Sequence, residues 1–280
     1  MSIIDDSIDL VVLIVVSLVP ALFYLSWIRG TERYGTESWS PLLGAFAYGA
    51  IFATITAGVV EAVIVSVGTA VSQSYPGPEF LFLNGNSTAG VFFLVLVVAP
   101  FIEEALKAAG VASRGSMLRQ LADGPVFGAS VGLGFGFFET FLYGLGAWLV
   151  GGLAAGIVLI AVRSVSSVLL HGSSTGMFGY GYARSRFVRT GPGSGSYYLV
   201  AVGMHASFNA LASLAVLLPF IGISGVAAAW ASLLALAAAI AFAFLAIEHV
   251  RTIIQTTDYP ALLGPTRFQP RGGRPPASPR

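Results

Sequence analysis

Two adjacent carboxylates and a lysine stand in the stretch Ala99-Pro100-Phe101-Ile102-Glu103-Glu104-Ala105-Leu106-Lys107, within an otherwise apolar run. A charged side chain at the centre of a bilayer costs about 2.5–3.5 kcal/mol on insertion scales, so a glutamate pair there marks a functional site by default. Three later apolar segments each carry polar groups of their own: Glu139, Arg163 with His171, and His205 with Asn209. Carboxylate and imidazole together can activate a water, either directly or by holding a metal that does so. The expectation is that these groups converge on one site inside a helical bundle.

Helical spacing says how they would meet. Glu103 and Lys107 are four apart and can pair along one face, while Glu104 points about 100° away. One carboxylate is then neutralised locally and the other faces a cavity. Pro100 removes a backbone hydrogen bond and opens the helix just before the pair. Gly128, Gly132 and Gly136 form a small-residue stripe that lets another helix approach closely, as easily in a dimer as in a core. Glu139, three residues on, faces protein with them. Arg163 and His171 fall within about 80° of one helix face, and Arg163 needs an anion, either Glu139 or one of the Glu pair. His205 and Asn209 are four apart and can aim two donors at one point, as an oxyanion site requires. Glu61 stands alone in its segment and is structural or lines the cavity. Glu248 and His249 lie at the last membrane boundary.

Other chemistries are excluded. The five Asp residues (5, 6, 9, 123 and 258) lie outside or at the edge of the apolar segments, which rules out an intramembrane aspartyl dyad. There is no His-Glu-x-x-His zinc helix and no Gly-x-Ser-x-Gly elbow. There is no cysteine, hence no disulfide, thiol nucleophile or thiolate metal site.

The elements that must position these groups are membrane helices. Hydrophobic residues make up 56% of the 280 and charged residues 10%, far below the roughly 25% charge of a soluble domain. The expected fold is an all-α polytopic bundle of seven transmembrane helices, at about 8–28, 41–67, 90–110, 124–149, 153–182, 198–218 and 223–248. Arg29, Arg33, Arg114, Arg119, Arg184, Arg186, Arg189 and the arginines after 250 fall in alternate loops, and the opposite loops carry no Lys or Arg. The positive-inside rule then puts the N-terminus out and the C-terminus in. The acidic start, with Asp5, Asp6 and Asp9, argues for a first span that is retained. Residues 1–258 would form the helical domain. Residues 259–280, rich in Pro, Gly and Arg, would be a disordered cytoplasmic tail. Asn86-Ser87-Thr88 reads as plain loop chemistry, and nothing points to nucleic acid.

In order along four successive segments, Glu-Glu-x-x-Lys (103–107), Phe-x-x-x-Glu (135–139), Arg with His (163, 171) and His-x-x-x-Asn (205–209) resemble the PrsW intramembrane proteases. Pro20, Arg29, Arg33-Tyr34 and Gly134-Phe135-Gly136-Phe137-Phe138-Glu139-Thr140 add to the likeness, which covers about 20–209. The resemblance implies an intramembrane endopeptidase of a wider glutamate-dependent superfamily, in a prokaryotic cell membrane. It would cleave a single-span, anti-sigma-factor-like membrane protein. Glu103 or Glu104 would activate water, His171 would help hold that water or a metal, and His205 and Asn209 would steady the oxyanion. Lys107, Glu139 and Arg163 would organise the site. A divalent metal such as zinc, if used, would take ligands from His171, His205, Glu104 and Glu139. The CAAX prenyl endopeptidases of the superfamily carry His where this protein has Glu139. Two rivals belong to other classes: a non-catalytic scaffold related to the gamma-secretase subunit APH-1, and a proton-coupled carrier using the Glu–His relay.

Overall fold

The structure, a computed structural model, describes residues 3–258 apart from Pro76 and Arg189. The expected tail, 259–280, lies outside the described residues. Among the described residues every regular element is helical. In order along the sequence they are α1 (Ile3–Arg29), α2 (Trp39–Ala47), α3 (Thr54–Ser74), α4 (Thr88–Phe93), α5 (Ala99–Ser113), α6 (Asp123–Ser164), α7 (Ser167–Phe187), α8 (Ser194–Ala212), α9 (Leu214–Leu217) and α10 (Gly225–Thr257). Single π-helical turns join α2 to α3 (Tyr48–Ala53) and α4 to α5 (Leu94–Val98).

Five stretches are long and apolar enough to cross a membrane: Asp6–Arg29, Trp39–Ser74, Thr88–Ser113, Asp123–Phe187 and Gly225–Thr257. The expected sixth segment, now α8, is not among them, because His205, Asn209 and its serines dilute its apolar character. The 65 residues of Asp123–Phe187 exceed the roughly 20 that one crossing needs, and the backbone turns back within them. Gly152 adopts φ 78° and ψ 179°, a conformation that glycine reaches without a Cβ penalty. Beyond it the helix returns along itself. Gly156 lies against Gly144 and Trp148, and Ile160 against Gly144; Arg163 reaches Glu139. A second break at Val165–Ser166 re-aims the backbone into α7, so the expected fifth segment is two helices rather than one.

The first half of α6 is the axis of the bundle, and glycine is the reason. A Cβ on Gly124, Gly128 or Gly132 would stand 2.3, 2.3 or 2.0 Å from the carbonyl oxygen of Gly179, Thr175 or His171. The descending partners make α7 antiparallel to α6. The stripe therefore serves the core of one molecule, with backbones in direct contact. The opposite side of α6 does the same with α2: Ser130 Oγ donates to Leu42 O at 2.7 Å, and a Cβ on Gly134 would stand 2.0 Å from Phe46 O. These ascending pairs make α2 parallel to that half of α6. Clamped on both sides, α6 is buried from Asp123 through Gly136.

The π turn before α5 has a cause. In such a turn each carbonyl accepts from the N–H five residues on, and Ala99 N–H donates to Leu94 O. The next donor in line would be Pro100, which has no N–H. Val95 O is left over, and the Asn209 side chain takes it: Nδ2 donates to Val95 O at 2.9 Å.

Candidate active site

α5, α6, α7 and α8 bring their polar residues to one point. Glu103 and Glu104 sit one turn after the proline break, on the face of α5 that is buried against α6, α7 and α8. Lys107 is fully buried, and its Nζ lies 2.8 Å from Glu104 Oε1, 2.9 Å from His171 Nδ1 and 3.5 Å from Glu103 Oε2. Its ammonium also stands 4.2 Å from the centre of the Phe135 ring, a cation–π contact strengthened by desolvation. The expected division of labour within the pair is thus reversed. Lysine three residues on neutralises Glu104 more closely than lysine four residues on neutralises Glu103.

Glu104 is saturated with donors. Besides Lys107, Ser174 Oγ donates to its Oε1 at 3.0 Å and Thr175 Oγ1 to its Oε2 at 3.4 Å. His205 Nδ1 lies 3.1 Å from Oε1. Glu103 has only the long Lys107 contact and faces His205 Nε2 across 3.8 Å. That gap exceeds the reach of a direct hydrogen bond.

His171 is held at both ring nitrogens, by Lys107 at Nδ1 and by Glu139 Oε2 at Nε2, 2.8 Å away. Glu139 in turn accepts from Arg163 Nη2 at 2.6 Å, and Arg163 donates to Ser167 Oγ at 2.9 Å. Arg163 thus finds its anion in Glu139, one of the expected partners. The imidazoles of His171 and His205 pack edge to face with centroids 4.9 Å apart.

One oxygen of Glu103 and one nitrogen each of His171 and His205 lie within 4.8 Å of one another, all three side chains buried. Two imidazoles and a carboxylate form a donor set that suits zinc, and both imidazoles carry an outer carboxylate of the kind that orients metal-bound histidines. Glu104 and Glu139, expected among the ligands, occupy these outer positions: Glu104 is bound to Lys107 and His205, Glu139 to Arg163 and His171. Lys107 Nζ occupies the hydrogen-bonding direction of His171 Nδ1, so either Nζ or the ring must shift for that nitrogen to bind a metal.

Asn209, expected beside the oxyanion, spends its amide on Val95 O. Ser167, Ser174 and Thr175 escaped the sequence reading. They lie four before, three after and four after His171, so the helical spacing that groups polar residues on one face would have found them.

A model of the PrsW family intramembrane metalloproteases matches residues 37–246. No curated protein and no solved structure matches the sequence.

Proposed function

The protein belongs to the PrsW family of intramembrane metalloproteases, and on that premise we propose that it hydrolyses a peptide bond of a single-span membrane protein at the Glu103–His171–His205 centre. The observation that carries this reading is the convergence of one carboxylate and two imidazoles, none more than 6% exposed, from three different helices. Isolated structural carboxylates would have no need of this company.

Glu103 is the carboxylate of the pair with fewer close partners, and where water is activated without a metal it takes the proton as that water attacks the scissile carbonyl. Glu103, His171 and His205 would hold the divalent metal that the family's name implies. When bound there, a metal such as zinc supplies a Lewis acid that polarises carbonyl oxygen and lowers the pKa of water. Glu104 fixes the His205 ring through Nδ1, and Glu139 fixes His171 through Nε2. Lys107 offsets the charge of the glutamate pair and holds Glu104 and His171 in place. Ser174 and Thr175 hold Glu104 in place.

The reversal at Gly152, which divides Asp123–Phe187 into two crossings, the length of α8 as a further one, and the alternating basic loops support seven crossings with the N-terminus outside; the membrane is that of a prokaryotic cell. The substrate is of the anti-sigma-factor type that the family resemblance suggested.

The test is purified protein in liposomes with a panel of single-span peptides. Wild type cleaves at least one of them, 1,10-phenanthroline stops turnover, and zinc restores it. Glu103→Gln inserts normally and turns over none. Wild-type protein that cleaves no peptide but co-purifies with a membrane partner is a scaffold instead.

A further inference from the structure

Glu61, on α3, is the acidic group that the sequence marks as structural or cavity-lining, and it stands near the site. Ala57, one turn before it, is buried in a small cluster against Phe135, with Ile102 and Leu106 beside them. Glu139 likewise lies one turn after Phe135, and α3 continues the direction of α2, parallel to this half of α6. One turn further along both helices, Glu61 reaches the level of Glu139. The charges of Glu139 and Lys107 act on Glu61, and Glu61 acts on Glu103.

This level is also where the site opens. Glu104, Lys107, His171 and His205 are sealed, whereas the Glu139 and Arg163 side chains are 19% and 17% exposed. Two side chains here keep an orphaned polar atom: Glu61 Oε1 and Arg163 Nε are buried with no hydrogen-bond partner. Native proteins leave few such atoms, and each calls for a missing partner. Glu61 thus offers an unpaired acceptor, and Arg163, bonded to Glu139, an unpaired donor.

We propose that this mouth is where an unwound stretch of substrate docks, with Glu61 Oε1 accepting from a backbone N–H and Arg163 Nε donating to a backbone carbonyl oxygen. The proposal rests on the protease reading. A transmembrane helix must lose its internal hydrogen bonds before a peptide bond can be attacked, and in a bilayer each freed group costs several kcal/mol unless something satisfies it. A fixed acceptor and a fixed donor at the pocket's opening supply that satisfaction. Glu61 is then a substrate-positioning residue, and it favours segments that unwind easily.

The experiment uses the full-length protein in phosphatidylethanolamine–phosphatidylglycerol liposomes and a fluorescent Leu/Ala single-span peptide with a Gly-Gly centre. Each central glycine is replaced in turn by sarcosine, which lacks the N–H. Binding and cleavage are both measured. One sarcosine position weakens binding to wild type about tenfold, the loss of one hydrogen bond. Glu61→Ala weakens the parent peptide by the same factor and no longer discriminates against sarcosine. Glu61→Gln, whose amide oxygen still accepts, keeps part of the preference. The proposal is overturned if Glu61→Ala retains the full preference, or if it weakens only peptides given a lysine near the centre. Should Glu61→Ala not fold, wild type alone decides, because indifference to every sarcosine overturns the contact. Sarcosine-sensitive binding without any cleavage keeps the contact and sinks the protease reading; cleavage without sensitivity does the reverse.

Discussion

His205 turns Nδ1 to Glu104 Oε1 at 3.1 Å and thereby leaves Nε2 as the nitrogen that faces Glu103 across 3.8 Å. One carboxylate of the pair therefore sets the ring, and the other faces its remaining nitrogen.

Different outcomes follow for the two glutamates. Glu103→Gln removes the proton acceptor and a metal donor, so turnover and bound zinc are both lost. Glu104→Gln leaves the donor set intact but replaces the charged acceptor that orients His205. Loss of such an outer partner lowers metal affinity about 10–100-fold, and turnover falls with it at limiting metal. Zinc titration of both variants, alongside peptide turnover, checks this. Tighter zinc binding by Glu103→Gln than by Glu104→Gln would exchange the two assignments.

The residues of the site were legible because charge is scarce in so apolar a sequence: Glu103, Glu139, Arg163, His171 and His205 stand out by type alone. The Gly128–Gly136 stripe correctly announced close helix contact. What the sequence left hidden is geometry over distances that helical period does not govern. Whether Lys107 leans to Glu103 or to Glu104 depends on where His171 and Phe135 arrive from other helices. Asn209 looked like a partner of His205 because the two share a helix face, but the stronger demand came from a carbonyl that Pro100 had orphaned on the turn before α5. The turn at Gly152 falls in the gap left between the expected segments 124–149 and 153–182, whereas the second break, at Val165–Ser166, lies inside an expected segment and has no glycine or proline to announce it.

The packing of α6 on α7 is tested by adding a single carbon. In Gly132→Ala the new Cβ would lie 2.0 Å from His171 O, so the helices must separate. Overpacking of this kind costs about 1–3 kcal/mol or more, and it would displace His171 as well. Gly203→Ala on α8 meets nothing within 4 Å, and there the exchange gains up to about 1 kcal/mol of helix propensity. Thermal unfolding in detergent should fall for the first and hold or rise for the second. Equal effects would place the α6–α7 contact elsewhere.

Asn209 separates a structural role from a catalytic one. Removing its amide leaves the part-buried Val95 O without its donor, a penalty of about 1 kcal/mol, and loosens the turn that presents Glu103 and Glu104. Asn209→Ala should therefore lower the unfolding midpoint along with turnover. Asn209→Gln, one methylene longer, should recover only part of either. A residue acting purely on an oxyanion would lose turnover while keeping its wild-type midpoint, and that result would return Asn209 to the reaction.

At the arginine-bearing ends of the helices, Asp258 accepts from the backbone N–H groups of Arg33 and Tyr34 and from Gln120 Nε2, tying α10 to two loops. Glu32 is buried beside this knot. Its Oε2 accepts from Glu37 N–H at 2.8 Å, while Oε1 has no partner. Burial, reinforced by the charges of Asp123, Glu37 and Asp258 and opposed by the Glu37 N–H, pushes the Glu32 carboxyl up to about 8. The folded protein thus holds this proton where the unfolded one, near 4.5, has released it. Stability is fully present below about pH 4.5, declines as pH rises, and levels off above about pH 8, a loss on the order of a few kcal/mol. Glu32→Gln should remove this part of the decline, leaving the unfolding midpoint near wild type at pH 5 and above it at pH 9. Parallel wild-type and mutant midpoints across that range would mean that Glu32 ionises as readily in the folded protein as in the unfolded one.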